Sequence, residues 1–199
     1  MYYRNAYDRK FAGFERVEKI DGEGNISNTY FHQGDDEYAQ INYPYKTEML
    51  DSEGNVYKTT HTNYTVHTYN NDKSYLITPD TIVTKDYDGN DTHRDTAESF
   101  VYNTTNGNLE IHIQYGEVEA YSANDFVDIL GDTLITNYTY AIPQNQSSNI
   151  VGFPSSDVMT DFYDIKVRET KYTYDNLSYG QVEKGNVTKV ESWIEGEEY

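Results

Sequence analysis

The sequence predicts an all-β protein, a strip of antiparallel β-hairpins. Three observations carry that expectation: a glycine turn that recurs along the chain, 22 tyrosines and abundant threonine arranged in alternating runs, and almost no helical periodicity. Asp21-Gly22-Glu23-Gly24-Asn25, Asp51-Ser52-Glu53-Gly54-Asn55 and Asp86-Tyr87-Asp88-Gly89-Asn90 share an Asp-x-x-Gly-Asn pattern. Asn106-Gly107-Asn108 and Lys184-Gly185-Asn186 repeat its tail. An aspartate opening a type I turn accepts hydrogen bonds from the backbone that follows, and a glycine three residues later takes the positive φ that closes a bulged hairpin. In four of the five cases the next residue is aliphatic (Ile26, Val56, Leu109, Val187), where a returning strand should begin. Repetition of one hairpin unit points to an array built by stacking, a structural or enclosing role.

Taken in order, residues 11–20 read as a strand into the first turn and 26–31 as its return. Residues 45–50 and 56–60 flank the second turn, and 64–69 alternate at period two before the turn at 70–73. Pro79-Asp80 is expected to end the strand begun at Ser74, with 81–85 leading into the third turn. Residues 99–102 and 109–115 flank the fourth, with Leu109, Ile111, Ile113 and Tyr115 on one face. The expected helix is short, over 123–130, where Phe126, Val127 and Leu130 have helical spacing behind Ser122 as N-cap. Strands resume at 133–140, 158–163, 165–174 and 187–194, with a polar loop at 143–149. No shift in composition marks a linker, so residues 1–199 read as a single β segment.

Core formers are scarce: Leu, Ile, Val and Phe make up roughly a fifth of the chain, near the composition of disordered proteins. Tyrosine offsets this, because its ring contributes apolar area while its hydroxyl stays wet, which suits a sheet with two half-solvated faces. Only 15 Lys and Arg stand among 34 Asp and Glu, for a net charge of -19. That balance argues against nucleic acid and against anionic membrane surfaces, both of which need clustered cations. Without cysteine there are no disulfides or thiolate metal sites. No apolar signal region follows Met1 and no segment reaches 18 apolar residues, so neither a signal peptide nor membrane insertion is expected.

The residues assign no catalytic, cofactor-binding or metal-binding position. Paired carboxylates invite a glycosidase reading, yet most of them lie at turns where aspartate serves the backbone. Asp86-x-Asp88-x-Asn90 opens like a calcium loop but has Asp91 where glycine is needed and Ala97 where glutamate is needed. The histidines (His32, His61, His67, His93, His112) lack zinc-site spacing, and no Gly-x-Ser-x-Gly elbow occurs. Two rivals to a structural role stay open: an adhesin-like or carbohydrate-binding β module using exposed Tyr and Trp193 as stacking platforms, and a carboxylate-dependent glycoside hydrolase.

Several stretches resemble the Rhs, or YD-repeat, family, in particular the middle region of the B component of bacterial toxin complexes and Salmonella-plasmid-type virulence proteins. They are Tyr2-Tyr3 through Asp8-Arg9-Lys10-Phe11-Ala12-Gly13-Phe14, Tyr30-Phe31-His32-Gln33, Ile150-Val151-Gly152-Phe153-Pro154, and Tyr174-Asp175-Asn176-Leu177-Ser178-Tyr179-Gly180-Gln181 onward to Lys189. The resemblance implies a hairpin strip curving into part of a shell that sequesters a toxic polypeptide. Its implied partners are further shell segments, in the same chain or another, and the enclosed toxin polypeptide. The implied setting is a larger secreted or cell-surface bacterial protein of which this chain is a fragment. The self-cleaving Asp-Pro-x-Gly stretch of that family does not occur here, so the resemblance brings no catalytic residue.

Overall fold

The computed structural model describes residues 2–4, 11–34, 37–71, 73–87, 89, 92–145 and 150–193. Among them there is no α-helix, and no helix long and apolar enough to cross a membrane. The chain forms two compact units, residues 1–99 with 115–130, and 100–114 with 131–199. Both strands of one hairpin contribute residues to each unit, which is why no linker marks a boundary.

In the first unit, β1 (Tyr2–Arg4) and β2 (Phe11–Phe14) make a small ribbon. An antiparallel ladder then proceeds through consecutive neighbours: β3 (Arg16–Ile20), β4 (Ile26–Phe31), β5 (Pro44–Leu50), β6 (Val56–Tyr69) and β7 (Ser74–Tyr87). It continues with β8 (His93–Tyr102), the distal half of β9 (Leu109–Ala120) and β10 (Phe126–Asp128). Among the described residues one short 3-10 turn, Tyr38–Gln40, interrupts it. The apolar centre is small: Val83, Ala97 and Val118, with Tyr115 and Phe126 packed against it.

The second unit uses the start of β9, then β11 (Leu134–Tyr140), β13 (Pro154–Asp161), β14 (Lys166–Tyr174) and β16 (Val187–Ser192) in that lateral order. Two short strands, β12 (Ile142–Pro143) and β15 (Gln181–Val182), pair in parallel beside it. Its core is Ala141, Tyr174 and Val182, capped by Phe153 and Tyr172. Buried polar residues outnumber buried apolar ones across the described residues, as the thin stock of aliphatics implied.

Three sequence expectations are corrected. The segment 123–130 is not helical: Phe126–Asp128 is strand, with Phe126 opposite Ala120 and its ring edge-on to Tyr115 at 4.9 Å. Ser122 supplies a turn, its hydroxyl accepting from Asn124 N, rather than a helix cap. A ready ladder edge on β9 outweighs two turns of helical spacing, because a short helix has a costly nucleus. Pro79 does not end its strand either. Asn63 faces Thr81 and Tyr64 faces Pro79, so Asp80 is the extra residue of a β-bulge and β7 continues. The expected strand at 11–20 divides after Phe14, where Gly13 has φ 87°.

Bulges at proline recur. Tyr30 pairs with Lys46 and Phe31 with Pro44, leaving Tyr45 unpaired; Thr139 pairs with Ser156 and Tyr140 with Pro154, leaving Ser155 unpaired. Proline has no N–H for the ladder, and the chain absorbs that defect by bulging the next residue.

Candidate functional site

The turns expected from sequence share one frame. In the first, Asp21 N donates to Asn25 O (3.0 Å) and Gly24 N to Asp21 O (3.2 Å). The carboxylate of Asp21 accepts from Glu23 N and Asn25 N through Oδ1 and from Asn25 Nδ2 through Oδ2, each at 2.9 Å. Gly24 holds φ 89°. Asp51, Gly54 and Asn55 reproduce this arrangement, with Gly54 at φ 90°. Hydrogen bonds from the Asn25 side chain and backbone hold the Asp21 carboxyl below its usual range, and Asn55 does the same for Asp51.

The fourth turn uses an amide in place of the carboxylate. Asn103 N donates to Asn108 O, Gly107 N donates to Asn103 O, and Asn103 Oδ1 accepts from Thr105 N and Asn106 N. At the last turn the acid comes from far along the chain. Asp175 Oδ2 accepts from Glu183, Lys184 and Gly185 N at 2.8–3.0 Å, and Oδ1 accepts from Asn186 N and Nδ2. These amides, Lys184 first, drive the Asp175 carboxyl far below the ordinary range.

The third expected turn is corrected. Asp86 lies within β7, cross-strand from Arg94 and ion-paired to Lys58, so it does not open the loop. The strand pairing runs two residues further than the motif implies, as far as Tyr87 and His93. Gly89 has φ 71°, while Asp88, Asn90 and Asp91 lie outside the described residues, as do residues 5–10, Asp72, Asn149 and Ile194.

One turn escaped the pattern. Asp161 N donates to Ile165 O, Asp164 N donates to Asp161 O, and Asp161 Oδ1 accepts from Tyr163 N and Ile165 N. Asp164, at φ 63°, stands where Gly24 does. Asp and Asn tolerate the left-handed region better than other side chains, so an Asp-x-x-Asp spacing was the available signal.

Three further carboxylates are buried in ion-pair clusters. Asp95, 5% exposed, meets His93 Nδ1, Lys85 Nζ (3.4 Å) and Ala120 N (3.2 Å) beside the first core. Asp157 takes Arg168 and the Tyr172 hydroxyl. Glu169 sits between Lys166 and Lys171, whose contacts, Lys166 foremost, hold its carboxyl low against the opposing effect of burial. Asp157 is matched by donors on the neighbouring strand β14, Asp95 by Lys85 and Ala120 on its two neighbours and by His93 on its own strand, and Glu169 by two lysines of its own strand, an arrangement that serves the sheet.

Among the described residues no three acid, histidine or cysteine side chains converge as a metal site. Trp193 offers less than the sequence suggested, because Lys166 Nζ lies 4.9 Å from its ring centroid. A cavity of about 360 Å³ opens in the first unit, walled by His32, Tyr45, His61, Tyr64 and Asp80. Asp80 is the carboxylate among its lining residues. A neighbouring hollow of about 270 Å³ holds Glu15 and Glu37, the latter committed to Ala39 N.

No protein-family model matches the sequence, and no curated protein matches it. Solved structures do. A chain in the Photorhabdus luminescens Tc holotoxin pore with a mutated TccC3 superposes on 96% of this chain with a TM-score of 0.70 and 9% identity. A chain of the TcdB2-TccC3-TEV crystal structure covers 95% with a TM-score of 0.66 and 11% identity. Tc toxin chains contain this fold. The present chain spans 14% of the length of each of those neighbours. In this fold the residues of the first and second turns lie at the ends of the β3–β4 and β5–β6 hairpins, and those of the last turn between β14 and β16.

Proposed function

We propose that this chain is a non-enzymatic wall segment of an Rhs-type toxin shell, in a secreted or surface-exposed bacterial protein, which encloses or sequesters a toxic polypeptide. The observation that carries the reading is the match of nearly the whole chain to a minor part of Tc toxin chains, together with turns that fix hairpin geometry in series. A wall segment needs edges to join its neighbours. Strands β3 and β16 end their ladders, and β3 is exposed throughout. Its partners are further shell segments, with neither nucleic acid nor a membrane among them.

The carboxylate-hydrolase rival is weakened because the cavity of about 360 Å³ is lined by one carboxylate and many of the described acids, such as Asp21, Asp51, Asp95 and Glu169, are bound by turns or ion pairs. The test is protease protection: the chain is co-expressed with the proteins encoded beside it, and the purified assembly is treated with protease before and after mild denaturation. The reading expects a polypeptide shielded until the shell opens. A cargo digested at the same rate in both conditions overturns it.

A further inference from the structure

The two proline bulges of the first unit, on different strands, aim their extra residues at one place. Tyr45 follows Pro44 on β5 and Asp80 follows Pro79 on β7, and both line the cavity of about 360 Å³. Bulges re-aim side chains and are enriched beside binding sites. Side-chain bonds fix the walls. Gln40 Nε2 donates to Tyr64 O (3.2 Å), the Tyr64 hydroxyl donates to Pro44 O (2.8 Å), and Asn63 Nδ2 donates to Ala123 O (3.4 Å). The His32 ring lies 4.9 Å from that of Tyr45 and 6.3 Å edge-on from that of Tyr64. The result is an aromatic wall facing a rim of one carboxylate, hydroxyls and amides, on a pinned frame.

We propose that this cavity binds a saccharide unit, a neutral polyol with one apolar face. Its volume lies within the ordinary range of small-ligand pockets, about 300–1,000 Å³. Asp80, exposed on the bulge, is placed to accept from two adjacent hydroxyls, with Thr62 and Asn124 beside it as further polar partners. The ring of Tyr45 supplies an apolar surface for C–H groups. A cationic side chain fits less well. Burial, then the charge of Lys46, lowers the His61 pKa against the opposing charge of Glu48, so the imidazole lining the cavity favours its neutral form. This inference rests on the first unit alone and stands or falls separately from the shell reading, since an exposed wall can carry a sugar site whatever it encloses.

Titration calorimetry and saturation-transfer NMR on the full chain test it, with glucose, galactose, N-acetylglucosamine and mannose as probes and arginine amide as the cationic competitor. At least one sugar should bind saturably with a millimolar constant. Asp80→Asn, which keeps shape at an exposed position, and Tyr45→Ala should each weaken it about tenfold or more, while Trp193→Ala leaves it unchanged. Circular dichroism melts of each variant show whether a loss reflects unfolding, and Asp80→Asn alone decides the outcome should Tyr45→Ala fail to fold. Absence of saturation by every sugar at about 50 mM, well above the millimolar range, overturns the proposal. So does binding insensitive to Asp80→Asn, or saturable binding of arginine amide alone.

Discussion

Gly180 and Gly185 allow one feature of the fold to be isolated. Both belong to the second unit, lie on either side of β15 and hold nearly the same φ, 82° and 88°. A methyl group at Gly180 meets nothing within 4 Å, whereas at Gly185 it would lie 2.2 Å from Phe153 Cε1 and 2.4 Å from Cζ. The Phe153 ring has little room to yield, because it packs edge-on against buried Tyr174 at 5.5 Å. Gly180→Ala therefore carries the left-handed strain alone, about 1–2 kcal/mol. Gly185→Ala adds overpacking of about 1–3 kcal/mol. With a urea slope of about 2 kcal/mol/M, the midpoint should fall by about 0.5–1 M for Gly180→Ala and about 1–2.5 M for Gly185→Ala. In a Phe153→Ala background the two substitutions should cost about the same, a coupling that a double-mutant cycle reads directly. Equal midpoints in the native background, or an undiminished Gly185→Ala penalty without the ring, would refute the reasoning.

Other consequences are open to measurement. Asp95→Ala removes a 5%-exposed carboxylate from Lys85 and His93 and should cost about 3 kcal/mol, read by urea melting, with little loss if the cluster is idle. Glu48 and Glu169 have carboxyls held below 4.5, Glu48 because bonds from Lys46 and Tyr30 outweigh its burial. Their contribution is complete above about pH 4.5 and is lost as pH falls through the lower folded values, so the urea midpoint should drop there. His61 runs in the same direction at higher pH. Its folded pKa lies below 6.5, the unfolded chain binds the proton first, and stability should begin to decline below about pH 6.5, a decline that His61→Gln removes. Burial raises the hydroxyl pKa of Tyr64, Tyr102, Tyr140 and Tyr174 above 10, so the folded chain keeps protons that the unfolded chain loses. Stability should fall above about pH 10, with the last part of the tyrosinate absorbance rising only together with the loss of circular dichroism; complete tyrosine ionisation ahead of unfolding would contradict this.

The parts of the fold legible in the sequence are those whose causes are local. Asp21 and Asp51 bond to amides within four residues, so five letters specify the whole hairpin end. The Asp175 knot joins residues ten positions apart, and only its Gly185-Asn186 tail was visible. Asp164 replaces glycine at a positive φ, which a search for glycine passes over. The segment 123–130 misled because its spacing suits a helix while its fate is decided by an edge on β9, a tertiary fact. Likewise Pro79 reads as a strand breaker, and only the cross-strand register shows that it, like Pro44, bulges its successor toward a shared cavity. The convergence of His32, Tyr45, His61 and Asp80 has no sequence spacing to reveal it.

The central claim is that this run of hairpins forms part of a wall, and a cryo-electron microscopy map of the assembly purified through a tag on this chain tests it most directly. The account predicts strand density hydrogen-bonded along the outer edges of both β3 and β16, continuing the sheet on either side. A map in which both edges face solvent and no enclosure forms around a second polypeptide would contradict it.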